Sequence, residues 1–271
     1  MRSNDQGNRR AKGLPDRYCL FLDILGFRDI VNESLQAASA TSHIYFSLNS
    51  IANTLKYRQL YLDAGGKKTI SSRKVSQFSD SVVVSYLATE EGGLEDMLRD
   101  VLRLQIQLIH RKILVRGAIT LGKLYHQRDF VFGPALNEAV ELERLANYPR
   151  VIAERDLLAR AGLVNVGSPP SAIAPLTLDL DGQYFVDYFA VQPDDFDEDW
   201  GSLVEYLIEL REVILALSKR REPSLRIKHG WMRQRFNGVA IPLEKSAFRE
   251  FNGHRVPDDE DNHIINIRRF R

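Results

Sequence analysis

The chain has 271 residues, a length that fits one large domain or two small ones. Hydrophobic residues make up 44% and charged residues 27%, which excludes a wholly disordered, collagen-like or membrane-embedded chain. Lys plus Arg is 37 and Asp plus Glu is 36, a net charge of +1, so whole-chain charge gives no pull toward nucleic acid or a membrane surface.

Residues 1–16 are polar and basic with no apolar segment of the secretory type, and read as a flexible N-terminal arm. No apolar run approaches the roughly 20 residues of a membrane span, and a cytoplasmic location is expected. The single cysteine, Cys19, excludes an intrachain disulfide and a Cys-rich zinc site; in the run Tyr18-Cys19-Leu20-Phe21-Leu22 it reads as a small buried hydrophobe. That run is the first predicted strand, followed by Asp23-Ile24-Leu25-Gly26-Phe27. One long helix is expected from about Asp29 to Tyr57, with Leu35, Ile44, Leu48, Ile51 and Leu55 as its stripe. Ala64 to Lys67 reads as a turn. Lys74–Phe78 and Val82–Tyr86 read as a tight hairpin around Ser79-Asp80-Ser81. After Gly92-Gly93, Leu94, Met97, Leu98, Val101, Leu104 and Leu108 mark a strong amphipathic helix.

Ile113 to Leu121 is the next predicted strand, with Gly122 and the polar stretch Tyr125 to Asp129 turning the chain back into Phe130-Val131-Phe132. Gly133-Pro134 opens a helix, Ala135 to Asn147. Weaker strands are expected at Arg150–Ala153 and Tyr184–Ala190, and a short helix at Leu157–Ala161. The order β-α-β-β-α-β is that of a ferredoxin-like core, and the fold class is α+β with added C-terminal helices. Residues 17–192 are read as one domain and 193–271 as a C-terminal helical extension with a charged tail. There Pro193 to Asp199 is an acidic loop, Leu203 to Leu217 an amphipathic helix, and Lys219 to Arg235 a basic run interleaved with Trp231. The tail from Asn252 reads as a surface appendage.

Four positions invite chemistry. Asp23 at a strand end is either a helix cap or a ligand for Mg²⁺ or Mn²⁺, which favour carboxylate oxygen. Asp80 is either an ordinary turn residue or a second such ligand. In a ferredoxin-like sheet the first and third strands are neighbours, so both acids reach one sheet edge, where two carboxylates repel unless a cation holds them. Arg116, flanked by apolar residues, is either a structural ion-pair partner or a phosphate clamp. Asn137 near a helix start can be a cap.

Together these segments resemble the catalytic domain of class III nucleotidyl cyclases. Phe21-Leu22-Asp23-Ile24-Leu25-Gly26-Phe27 matches the family's Phe-x-Asp-Ile-x-Gly-Phe in full. Phe78-Ser79-Asp80-Ser81 matches its metal-binding hairpin, with Ser79 in place of the usual Gly. Val115-Arg116-Gly117 through Gly122 matches its Arg-bearing strand, and Gly133-Pro134-Ala135-Leu136-Asn137-Glu138-Ala139 its Gly-x-x-Val-Asn-x-Ala. The resemblance covers roughly Arg17 to Glu154. It implies that Asp23, Asp80 and the Ile24 carbonyl hold two divalent ions, Mn²⁺ or Mg²⁺. It implies that the amides of Leu25, Gly26 and Phe27 cradle a triphosphate and that Arg116 binds it. Asn137 would orient the ribose from a partner subunit, in a head-to-tail homodimer with composite sites. The implied reaction is attack of the ribose 3′-oxygen on the α-phosphorus of a nucleoside triphosphate, releasing pyrophosphate.

The departures are informative. The family's transition-state Arg, four residues after the Asn, is Glu141 here; Arg144, two turns on from Asn137, is a candidate substitute. The purine readers of adenylate and guanylate cyclases are replaced by Ser76 and Phe130. This resembles the bacterial pyrimidine cyclases of Pycsar-type anti-phage defence, which make cyclic UMP or cyclic CMP, with UTP favoured here over CTP and a product-responsive effector as the downstream partner. Two other readings stay open: a non-catalytic cyclase-homology module that binds nucleotide, and an adenylate or guanylate cyclase with unusual base readers. Nucleic-acid binding through Lys219–Arg235, Trp231 and Phe236 is the less favoured reading of the basic run, against a solvated helix end facing the Pro193–Asp199 loop.

Overall fold

The structure, a computed structural model, describes residues 13–35, 38–56, 60–62, 68–127, 130–164, 175–196, 200–246, 248–251, 254–257 and 269–270. Strand β1 (Asp16–Ile24) is followed by helices α1 (Phe27–Ser34) and α2 (Ala38–Lys56), then the short pair β2 (Leu60–Leu62) and β3 (Lys68–Ile70). The hairpin β4 (Lys74–Phe78) and β5 (Ser81–Leu87) leads through α3 (Gly93–Ile109) to β6 (Val115–Lys123). A small hairpin, β7 (Tyr125–Gln127) and β8 (Phe130–Phe132), precedes α4 (Pro134–Leu145), β9 (Val151–Ala153) and α5 (Arg155–Arg160). Strands β10 (Leu176–Leu178) and β11 (Tyr184–Val186) complete the sheet; a short 3₁₀ turn at Pro193–Phe196 leads to α6 (Trp200–Ser218), α7 (Pro223–Ser246) and a final hairpin, β12 (Phe248–Phe251) with β13 (His254–Pro257).

The main sheet runs β10-β11-β9-β6-β1-β5-β4. Its heart, β6-β1-β5-β4, is antiparallel throughout and has the order and directions of a ferredoxin-like βαββαβ core; β9 joins β6 in parallel. The expected α+β class therefore holds. Its cause is visible in the burial: the α3 stripe Leu94, Met97, Leu98, Val101, Leu104 and Leu108 is buried against the same core as Leu20, Leu22, Val82 and Val84. Cys19 is fully buried, and burial pushes its thiol up to about 12, the behaviour of an inert small hydrophobe.

Several expectations are corrected. The single helix after β1 is two, because α1 closes on Leu35, whose N–H turns back to the Asn32 and Glu33 carbonyls, while Ser34 Oγ donates to the Val31 carbonyl at 2.6 Å. The expected turn at Ala64–Lys67 lies outside the described residues. Gly122 does not turn the chain: β6 continues through it, paired with Arg17. Tyr125–Gln127 is a strand, not a turn, paired in register with Phe132–Phe130.

From Pro223 on, the basic run is a helix, α7, and Lys219 to Glu222 link it to α6. Trp231, Met232, Phe236 and Ala240 recur at helical spacing and are buried with Phe185, Tyr188 and Phe189 from the sheet side. Trp231 stacks on Tyr148 at 5.0 Å, and its indole N–H donates to Asp179 Oδ2 at 2.7 Å. Arg235 pairs with the same carboxylate, as does the fully buried Arg150. Two residues of the run, Trp231 and Arg235, are therefore tied to Asp179 in the β10–β11 turn, and Trp231 and Phe236 are core. The tail end is docked too: Phe270 exchanges two hydrogen bonds with Asn237, at 2.8 and 3.0 Å, and lies under the Arg211 guanidinium.

Candidate active site

Asp23 is the next-to-last residue of β1, and the register places it between Ser81 of β5 and Arg116 of β6. Ser81 Oγ donates to Asp23 Oδ1 at 3.2 Å. Asp80 sits in the two-residue turn of the β4–β5 hairpin, beside Ser81, and its carbonyl accepts from the Ile24 N–H at 3.3 Å. The sheet thus brings the two acids together. Burial, and then the charge of Asp80, raise the Asp23 carboxyl to about 6. Such a pair is short of positive charge. Among the described residues no group of three or more His, Cys, Asp or Glu side chains is placed to hold a metal. Two carboxylates with open positions fit a Mg²⁺ or Mn²⁺ ion that takes its remaining oxygens from phosphate and water, and do not suit zinc.

Two backbone features build this corner. Gly26 has φ +74, in the left-handed region, which lets the chain leave β1 and enter α1 at once. A Cβ on Gly117 would stand 2.6 Å from the Phe21 carbonyl oxygen, so the residue after Arg116 must be glycine for β6 to lie this close to β1. Ser79, in contrast, holds φ +54 without being glycine.

Of the three amides expected to cradle a triphosphate, one is already bonded within the chain. The Leu25 N–H already donates to the Leu114 carbonyl at 2.9 Å, which leaves Gly26 and Phe27 at the start of α1, where amides have no partner within the helix. Arg116 is not simply open to phosphate. Its Nε bonds Glu143, a buried carboxylate on α4, in an ion pair. Glu143 was not singled out in the sequence, although it follows Ala135 and Ala139 on the buried face of α4, where a carboxylate needs a partner.

Ser76 is also engaged. Its Oγ lies 3.0 Å from His126 Nε2, while His126 Nδ1 lies 2.8 Å from Ser85 Oγ. Arg17 Nε donates to the same Ser85 Oγ at 2.8 Å. Burial and the neighbouring Arg17 lower the His126 pKa to about 4, so the ring is neutral at neutral pH. Arg17 can only donate, so Ser85 Oγ accepts from it, and the two serine hydroxyls bracket the ring, one at each nitrogen. His126 was read as part of a polar turn; its alternation with the buried Leu124 across the outward Tyr125 is the signal that marks it.

The remaining expected residues are not part of this corner's bonding. Asn137, Glu141 and Arg144 lie along the exposed face of α4, opposite the face of Ala135, Ala139 and Glu143. Phe130 on β8 is 68% exposed, and Phe78, two residues before Asp80, is 86% exposed.

No protein-family model and no curated protein matches the chain. Among solved structures, the adenylyl cyclase CyaB from P. aeruginosa is similar at 15% identity, with 64% of this chain and 93% of that one covered and a TM-score of 0.42. The catalytic core of a rhodopsin-guanylyl cyclase with converted specificity, in complex with ATPαS, is similar at 16% identity, covering 65% and 96%, with a TM-score of 0.40. The adenylate/guanylate cyclase/hydrolase from Silicibacter pomeroyi is similar at 16% identity, covering 63% and 95%, with a TM-score of 0.33.

Proposed function

We propose that this chain is a nucleotidyl cyclase that converts a pyrimidine nucleoside triphosphate, UTP in preference to CTP, into its 3′,5′-cyclic monophosphate and pyrophosphate. The observation that carries the reading is the convergence at one strand end of Asp23, Asp80 and Arg116, above a helix that opens on Gly26. Asp23 and Asp80, with the Ile24 carbonyl, would hold two divalent ions. When bound, these ions neutralise triphosphate charge and favour loss of the ribose 3′-hydroxyl proton. The bond formed is O3′ to the α-phosphorus, the bond broken joins the α-phosphorus to the bridging oxygen, pyrophosphate leaves, and the 3′-hydroxyl proton passes to solvent.

The chain's own groups divide the remaining work. The amides of Gly26 and Phe27 orient phosphate oxygens at the start of α1. Arg116, held in place by Glu143, aims its remaining donors at phosphate. Ser76, a small side chain, would stand where the base is read and suits a smaller base. Phe130 would limit the space for a second ring. Asn137 would orient the ribose and Arg144 the phosphate in the transition state, both from α4 of a second copy in a head-to-tail homodimer. Their exposure, and that of Phe78 and Phe130, supports such an arrangement. The cyclic product would serve as a second messenger for an effector in anti-phage defence.

The Arg116–Glu143 pair favours one other reading, a cyclase-like module that binds nucleotide without turning it over. Incubating purified protein with each of ATP, GTP, CTP and UTP and Mn²⁺ separates the two. A cyclic pyrimidine monophosphate, absent with Asp23→Ala, is expected; equal or faster turnover of a purine would reject the base assignment, and binding with no product would favour the module.

A further inference from the structure

The C-terminal helices meet the same corner. A cavity of about 260 Å³ lies between the β1–α1 junction and the pair α6 and α7, with Leu25 and Gly26 on one wall and Leu217, Arg220 and Lys228 on another. Lys112 also lines it, but its ammonium is paired with Glu212 at 3.0 Å. Asp29 and Glu33 line it from the exposed surface of α1, and neither forms a salt bridge with Lys228. Lys228 is half-buried and makes no salt bridge with any described residue. Burial, and then the nearby guanidinium of Arg116, push its pKa down.

The charges of the corner make that arrangement meaningful. Asp23 feels the carboxylates of Asp80 and Glu143 and the guanidinium of Arg116, whose Nε Glu143 already occupies. Two divalent ions would turn this into a small positive surplus, less than the charge of a triphosphate. A further cation at the phosphate end would offset that charge, and α7 offers one from outside the sheet.

We infer that Lys228 of α7 binds the terminal phosphate of the nucleoside triphosphate across the cavity from Gly26, so that the C-terminal extension completes the substrate site. The inference rests on the nucleotide-cyclase reading. It gives α7 a role in catalysis beyond packing, with Lys228 one turn before Trp231 and Met232, on the side of the helix that packs on the core.

The test is calorimetric binding of inorganic tripolyphosphate, in MnCl₂, to the full chain and its variants, with steady-state kinetics on the preferred nucleotide. Lys228→Met should weaken tripolyphosphate binding about tenfold or more and raise KM by a similar factor, with a smaller change in kcat. Lys228→Arg should keep most of the affinity. Lys219→Met, which removes an exposed cation outside the cavity, should bind as the wild type does. Thermal unfolding confirms that each variant is folded; Lys228→Gln replaces Lys228→Met if the latter is not. Wild-type affinity in a folded Lys228→Met or Lys228→Gln chain would overturn the inference and leave the cyclase reading intact. A wild-type chain that binds no tripolyphosphate and makes no cyclic product would overturn both.

Discussion

His126 offers a quantitative test of the hydrogen-bond chain behind Ser76. The ring is 4% exposed and bonded on both nitrogens, and its pKa in the fold is about 4 against an ordinary value of 6.5. As pH falls, the unfolded chain therefore takes up this proton before the folded one does. The stability that the neutral ring contributes is complete above about pH 6.5 and is lost as pH falls toward 4. With 1.36 kcal/mol per unit, the loss is about 2 kcal/mol at pH 5 and at most about 3 kcal/mol below pH 4. The assay is urea unfolding of the wild type and His126→Gln at pH 8 and pH 5. Carboxylates that titrate in both chains cancel in the comparison. The variant should be less stable at pH 8, by about 1–2 kcal/mol for its altered hydrogen bonds. Between pH 8 and pH 5 it should lose about 2 kcal/mol less than the wild type. Equal losses would refute a buried neutral ring.

Three further outcomes follow from local geometry. Ser79→Gly relieves the left-handed backbone at the hairpin turn and should raise stability by about 1 kcal/mol, seen as a higher urea midpoint at unchanged slope. Gly117→Ala drives a methyl against the Phe21 carbonyl and should cost about 1–3 kcal/mol while displacing Asp23 from Arg116; a chain with wild-type midpoint and turnover would contradict the packing described for β1 and β6. Arg144→Ala changes an exposed residue, so stability should stay within about 0.5 kcal/mol and the dimer should persist while turnover is abolished; undiminished turnover would remove Arg144 from the mechanism.

What could be read from the sequence, and what could not, follows from where the periodic signal is clean. The strand Tyr18–Leu22, the hairpin around Ser79-Asp80 and the α3 stripe each carry one unbroken period, and each stands where that period puts it. The approach of Asp23 and Asp80 follows from strand order alone. The α7 helix was hidden because seven cations between Lys219 and Arg235 obscure a stripe that contains only Trp231, Met232, Phe236 and Ala240. Its meaning depended on Asp179, more than forty residues away in sequence, which no local pattern can supply. Glu143 and His126 were missed for one reason: each is a polar residue on a buried face, and its partner, Arg116 or Ser76, comes from another element. Long-range pairing of this kind appears only once the sheet is assembled.

The central claim is a pyrimidine cyclase whose metal acids are Asp23 and Asp80. It is tested most directly by one competition reaction, with equimolar ATP, GTP, CTP and UTP, Mn²⁺ and purified protein, and the cyclic products separated by chromatography and identified by mass. Product ratios report the ratios of kcat/KM directly. Cyclic UMP should dominate, cyclic CMP should follow, and both should disappear in Asp23→Ala and Asp80→Ala. A purine cyclic monophosphate as the main product would contradict the base assignment, and product that survives loss of both acids would contradict the site itself.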